Sequence, residues 1–313
     1  ETLQGVLECE PDIIAHDMHP GYLSTQWAKK QNRKLVPVQH HHAHLVAAMA
    51  EHQIEEPAIG LIMDGTGFGE DGTIWGGEIL MGDAHSFKRL GHFETVPLPG
   101  GEAAIKSPWR TAVSYVRHTF GEEFVLEMMP EYFGDSAIKP VLEILKKGLN
   151  TPLTSSCGRL FDAAAALCGP WTESHYEAQG AIEMMALTTF EEVQAAEPWP
   201  LEAPSLIIPV GPIISGVVQA VAEGIPISEI SARFHRTVID SLTTAAVLAS
   251  EQTALKNVVL SGGVFQNEIL VTGMMTALQK HGLNTVRPIQ TPAGDGGLAL
   301  GQAMVARAVC GLL

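Results

Sequence analysis

AIGLIMDGTGFGEDGTIWGGEILM, residues 58–81, is the stretch that decides the fold. Residues 58–63 are wholly apolar and stop at Asp64, the pattern of a strand buried on both faces. The loop DGTGFGEDG (64–72) follows, and TIWGGEILM (73–81) returns as a second strand. Gly65, Gly67, Gly69 and Gly72 let backbone N–H groups of this loop turn toward an anion. Asp64 sits where a strand ends, so its carboxylate can orient a metal or a water. The loop lacks a calcium-binding register, because Phe68 takes the fifth position and the bidentate Glu is missing. A plain glycine-rich hairpin is the alternative.

Working outward, 87–93 offers a third strand. Helical patches at 108–119, 137–147, 159–168 and 177–195 alternate with Pro- and Gly-containing breaks, which predicts a largely helical insertion over about 97–210. A helix over 227–251, a strand at 257–260, a helix over 268–281, a strand at 285–288 and a helix over 295–309 complete the C-terminal part. The succession β-β-β-(insertion)-α-β-α-β-α describes one lobe of a two-lobed α/β fold, the actin/hexokinase/Hsp-seventy type of ATPase. Upstream, 1–9 reads as the end of a helix, 12–16 and 34–39 as strands, and 22–31 and 42–53 as helices. That is the second half of such a lobe. Residues 55–57 read as the joint. The expectation is a partial first lobe (1–57) lacking its opening strands and a complete second lobe (58–313).

Composition narrows the function. Acids outnumber bases 35 to 19, for a formal charge of −16. Such a field repels nucleic-acid backbones and leaves anion binding to local dipoles at glycine turns and helix N-termini. No apolar run reaches the ~18 residues of a membrane span. Residues 1–10 carry acids and no basic stretch, which argues against a signal peptide there. Cys9, Cys157, Cys168 and Cys310 form no C-x-x-C pair, which argues against a zinc finger and a disulfide framework. A cytoplasmic setting fits.

Several segments can carry chemistry. In QHHHAH (39–44), His40 and His44 are one helical turn apart, so their rings can meet on one face and suit zinc or iron. His41 and His42 point elsewhere and read as structural. No Glu follows the first histidine, so a zincin-type protease loses its general base. Asp295, in TPAGDGG (291–297), is either a third ligand or an ordinary N-cap. In SGGVFQN (261–267), Gly262 and Gly263 allow close backbone approach at a strand-to-helix turn, and the helix starting near Asn267 offers its positive end. In SSCGRLFD (155–162), Arg159 and Asp162 are three apart on a helix, as a surface salt bridge or as a contact to nucleotide or substrate. Cys157 has no His partner assigned.

Six blocks in order, HDMHPGYLST (16–25), VQHHHAH (38–44), DGTGFGEDGTIWGGE (64–78), SSCGRLFDAAAALCG (155–169), SGGVFQN (261–267) and GDGGLALGQA (294–303), resemble the carbamoyltransferase domain of the HypF family, maturation proteins of NiFe hydrogenases. That domain is similar to TsaD, which modifies tRNA, and to TobZ, an antibiotic O-carbamoyltransferase. The resemblance implies that His40, His44 and Asp295 ligate the metal and that Asp64 acts with them. It implies a nucleotide-binding set of Gly65, Thr66, Gly67, Gly69, Asp71, Gly72, Gly158, Asp162, Gly262, Gly263 and Asn267. The implied reaction moves a carbamoyl group from carbamoyl adenylate to the C-terminal cysteine of HypE, where it becomes the iron cyanide ligand. The adenylate, made from ATP, would come from the family's YrdC-like domain, which these residues do not contain. The expectation is that this chain alone does not start from carbamoyl phosphate. YEAQGA (176–181) departs from the family's YEGQAA, at positions next to Glu177 and Gln179. The rival readings are a TsaD-type tRNA threonylcarbamoyl transferase, which the charge disfavours, and a non-catalytic module that docks HypE.

Overall fold

The computed structural model describes residues 5–6, 8, 10–201 and 203–312, without the side chain of Asp135. The expected helix end over 1–9 falls mostly outside the described residues; Gly5 and Val6 within it are helical. The chain opens with β1 (Ile13–Asp17), α1 (Leu23–Ala28), β2 (Lys34–Val38) and α2 (His40–Glu51). β1 and β2 form a parallel two-stranded sheet with Asp17 opposite Val38, so both strands end at one level. α2 starts two residues earlier than the sequence predicts. The reason is Gln39, whose side-chain oxygen accepts from the His42 N–H at 2.8 Å and caps the helix. His40 and His41 are thereby drawn into the first turn.

β3 (Ala58–Phe68), β4 (Ile74–Gly82) and β5 (Phe87–Phe93) form the expected antiparallel meander. β3 overruns its apolar stretch. The glycine-rich segment stays paired to β4 at Gly67 and Phe68, after a register shift between Met63 and Gly67. The insertion contributes β6 (Val96–Pro97), α3 (Glu102–Lys106), α4 (Pro108–Phe120), α5 (Glu122–Met128), α6 (Pro130–Phe133), α7 (Asp135–Lys147), β7 (Leu153–Thr154), α8 (Cys157–Leu167), α9 (Gln179–Ala186), α10 (Phe190–Ala195) and β8 (Ile207–Ile208). The single helix expected over 177–195 is two, because Thr189 and Glu192 form a capping box that starts α10 afresh. Sequence reading also missed α11 (Gly211–Ala222). Its Gly-Pro opening looks like a break, yet proline in the first turn of a helix forfeits no hydrogen bond. α12 (Ile227–Thr253), β9 (Asn257–Ser261), α13 (Glu268–Lys280), β10 (Asn284–Val286) and α14 (Leu298–Val309) follow as expected.

The large sheet runs β10-β9-β3-β4-β5-β8, with β9 parallel to both β3 and β10. The 58–63 part of β3 is wholly apolar because both its faces are covered. Ile59, Leu61 and Met63 face a core shared with α8 and α12, while Ala58 and Ile62 face Leu45, Ala48 and Met49 of α2. α14 lies against α2 at backbone distance: a Cβ on Gly301 would stand 1.9 Å from the Ala43 carbonyl oxygen. The helix that carries the histidines and the helix that follows Asp295 are therefore held together by the absence of a side chain.

Candidate active site

Four side chains converge where α2, the end of β3 and the entry to α14 meet. His40 and His44 come from the first turns of α2, Asp64 from the start of the β3 bulge, and Asp295 from a 3-10 turn ahead of α14. His40 Nε2 lies 3.1 Å from Asp64 Oδ2 and 3.5 Å from Asp295 Oδ1. His44 Nε2 lies 3.5 and 3.7 Å from the same two oxygens. A tetrahedral ion with bonds of about 2.0–2.1 Å has ligand–ligand edges of roughly 3.3 Å. The donor set therefore fits a divalent ion. His44 Nε2 is buried and has no hydrogen-bond partner among the described residues, as an atom reserved for a metal would be.

Outer contacts fix these ligands. Asp17, at the end of β1, accepts from His40 Nδ1–H at 2.8 Å, which leaves Nε2 to face the cluster. The Gly263 N–H donates to Asp64 Oδ1 at 3.1 Å and so ties the cluster to the glycine turn after β9. Electrostatics follow from crowding acids and imidazoles together. Burial opposes a proton on His40, but the carboxylates of Asp17, Asp295 and Asp64 outweigh it and push its pKa up to about 12. His44 is raised for the same reason, against its own burial. Burial works to raise Asp64, yet His40 and His44 hold it well below the usual carboxylate range. The same two imidazoles depress Asp295. A metal entering this site must displace protons.

Beside the cluster opens a cleft of about 390 Å³. Its walls are Asp64 and Gly65 of β3, Gly158, Arg159, Phe161 and Asp162 of α8, and Gly263, Val264, Gln266 and Asn267 of the turn after β9. Glu177, Ala178, Ala181, Ile182 and Met185 line it at α9, and Gly294 and Asp295 at the end that meets the His–Asp cluster. Arg159 and Asp162 are not a surface pair. They lie 3.0 Å apart and both are buried, with burial raising the Asp162 pKa while Arg159 lowers it. Asn267 caps α13 through the Leu270 N–H and donates to His235 Nε2 at 2.9 Å.

Other members of the expected nucleotide set lie elsewhere. Gly67 packs against the rings of His41 and His40, where a Cβ would be 2.2 Å from His41 Cε1. Gly69 packs on the Trp75 indole, and Gly72, at φ 78°, makes the hairpin tip. Asp71 is occupied by Thr73, Trp75 and Arg89. Thr66, like these four, does not line the cleft. The glycines beyond Gly65 thus serve the hairpin and the histidine helix. Gly262, at φ 101°, backs onto Met63 rather than the cleft. Gln179 turns to His175 and Glu183, whereas Glu177 faces the cleft. Burial pushes the Cys157 thiol pKa up, which leaves it no nucleophile. Sequence reasoning missed Asp17. The signal was the register: an acid ending β1 beside a β2 that runs straight into the histidines.

An α/β fold with a His–Asp cluster at the end of a glycine-walled cleft defines a Kae1-like carbamoyltransferase domain. Two family profiles match, "Carbamoyltransferase, Kae1-like Domain, second subdomain" over residues 60–302 and "HypF Kae1-like domain" over 1–51. Carbamoyltransferase HypF2 of Cupriavidus necator is 36% identical, over 97% of this chain and 41% of its own length. A HypF homolog of the same organism is 38% identical over 94% of this chain and 77% of its own length. A crystal structure of full-length HypF in the phosphate- and nucleotide-bound form superposes with a TM-score of 0.91 at 37% identity, covering 98% of this chain and 48% of that one. The chain belongs to the HypF carbamoyltransferase family, and the expected actin/hexokinase-like fold class is borne out. It spans about two fifths of the length of the first two relatives it matches, HypF2 and the Rhizobium leguminosarum protein (41% and 39%). No described helix is long and apolar enough to cross a membrane.

Proposed function

We propose that this chain transfers a carbamoyl group from carbamoyl adenylate to the C-terminal cysteine of HypE, for the cyanide ligand of NiFe hydrogenases. The observation that carries the reading is the convergence of His40, His44, Asp64 and Asp295 on one end of a cleft large enough for a nucleotide. Those four residues would hold zinc or iron. When bound, the ion would grip oxygens of the adenylate and polarise the carbonyl. In the transfer, the cysteine, deprotonated to its thiolate, bonds through sulfur to the carbamoyl carbon, the bond from that carbon to the phosphate oxygen breaks, and AMP leaves as the anion. Asp17 and the Gly263 N–H hold His40 and Asp64 in place, and Phe161, Ile182 and Met185 give the cleft an apolar wall. With a first lobe over 1–57 and a second over 58–313, the cluster would lie between the two.

The test supplies carbamoyl adenylate enzymatically and follows mass addition to a HypE peptide ending in cysteine. Wild-type chain should add one carbamoyl group per peptide, and His40→Ala and His44→Ala should not. Transfer that survives both substitutions would refute the role given to the His–Asp cluster, and no transfer by the wild-type chain would leave only a docking role.

A further inference from the structure

We propose that Arg159 is the residue that binds the phosphoryl group of the ligand in this cleft. The inference rests on the nucleotide reading above and adds which side chain meets which part of the ligand. Among the side chains lining the cleft, Asp64, Asp162, Glu177 and Asp295 are acids, and Arg159 is the one base. The chain as a whole carries −16. An anionic ligand is repelled here unless a local positive charge reverses the field.

Arg159 has the properties of that charge. It is 6% exposed. Its Nη2 is 3.0 Å from Asp162 Oδ2, and its Nε and Nη1 have no hydrogen-bond partner among the described residues. A guanidinium has five N–H donors, and leaving them unpaired away from water is costly. A residue that serves only as a helix staple has no need of this arrangement, and one awaiting oxygen acceptors does.

The space beside it suits a phosphate. A Cβ on Gly65 would find Arg159 Nη2 at 3.8 Å and nothing nearer, so the backbone there is open on the side the guanidinium borders. A Cβ on Gly158 would lie 2.9 Å from the Gly65 Cα, which puts the first turn of α8 against the same spot. The helix dipole adds to the guanidinium charge there. Gly65 directly follows Asp64, so a phosphate held here adjoins the His–Asp cluster, while the rest of the ligand extends toward Val264 and Met185. Asp162 keeps the guanidinium oriented.

The experiment titrates the chain calorimetrically with AMP and with adenosine, as wild type and as Arg159→Gln. Wild type should prefer AMP. Arg159→Gln should weaken AMP at least about tenfold, as expected for loss of a charge-assisted bond, and change adenosine by less than about twofold. Because that variant strands Asp162, an Arg159→Gln/Asp162→Asn pair is measured alongside and should show the same selective loss with an unshifted melting temperature. Unchanged AMP binding in Arg159→Gln, or equal loss of both ligands in both variants, would overturn the assignment. A wild type that binds adenosine as tightly as AMP would overturn it too, while leaving the nucleoside reading of the cleft standing. Binding of neither ligand would remove that reading as well.

Discussion

Replacing Gly301 with alanine should pull the His–Asp cluster apart from behind. A Cβ at this position would lie 1.9 Å from the Ala43 carbonyl oxygen, a backbone atom that cannot rotate away. Restoring even a 3.0 Å contact separates α14 from α2 by about 1.1 Å. Ala43 lies between His40 and His44, and Asp295 sits one short turn ahead of α14. The separation therefore falls on the ligand set, where distances must hold to about 0.2 Å. Overpacking of this kind destabilises by about 1–3 kcal/mol wherever it occurs. The control is Gly91→Ala in β5, whose Cβ would lie 2.1 Å from the Leu206 carbonyl oxygen, a backbone clash away from the cluster. Both variants should lose stability in urea. Only Gly301→Ala should also lose zinc affinity, by at least about tenfold in a competitive chelator titration. Wild-type zinc affinity in a Gly301→Ala protein as destabilised as Gly91→Ala would refute the argument that the helix contact sets the ligand geometry.

Three more outcomes follow, two from the cluster and its supports and one from a buried histidine behind the cleft. Asp64→Asn should lower zinc affinity by at least about a hundredfold and Asp17→Asn by about 10–100-fold, while Asp71→Asn should leave it unchanged; the chelator titration ranks them. Glu51 accepts from the N–H groups of Ile289 and Gln290 and from both the N–H and hydroxyl of Thr291, bonds that hold its pKa down to about 2 against slight burial. Glu51→Ala should therefore speed hydrogen exchange at 290 and 291 and weaken zinc about fivefold or more by loosening the segment before Asp295. Burial of His235 drives its pKa down to about 4, against the bond to the Ser231 carbonyl. The unfolded chain takes that proton near pH 6.5 and the folded chain only near 4, so stability falls as pH drops through that window. The loss totals about 3 kcal/mol. Urea unfolding at pH 7, 6, 5 and 4 should show His235→Gln lacking this slope, and parallel curves for the two proteins would dismiss it.

What the sequence discloses and what it hides divide along a physical line. A strand buried on both faces must be apolar throughout, so residues 58–63 announce the central strand and, with it, the order of everything after. A helical pair of histidines is likewise local: Gln39, His40 and His44 act within one turn, and their spacing is readable without the rest of the chain. Glycine is different, because one residue type serves opposite ends. Gly65 leaves its flank open beside Arg159, Gly263 leaves room for the Asp64 carboxylate, Gly67 and Gly69 leave room for His41 and Trp75, and Gly301 leaves room for another helix. In the one-dimensional string all five look like parts of anion-binding loops or ordinary helix. What separates them is the neighbour that a Cβ would strike, and that neighbour comes from a distant segment in each case except the hairpin. Charge behaves in the same way. Arg159 and Asp162 at a spacing of three suggest a surface pair, and only burial turns them into a cation with unmet donors on the wall of an acidic cleft. Local pattern therefore reveals the histidine half of the His–Asp cluster, while the cleft beside it is set by which backbones approach each other.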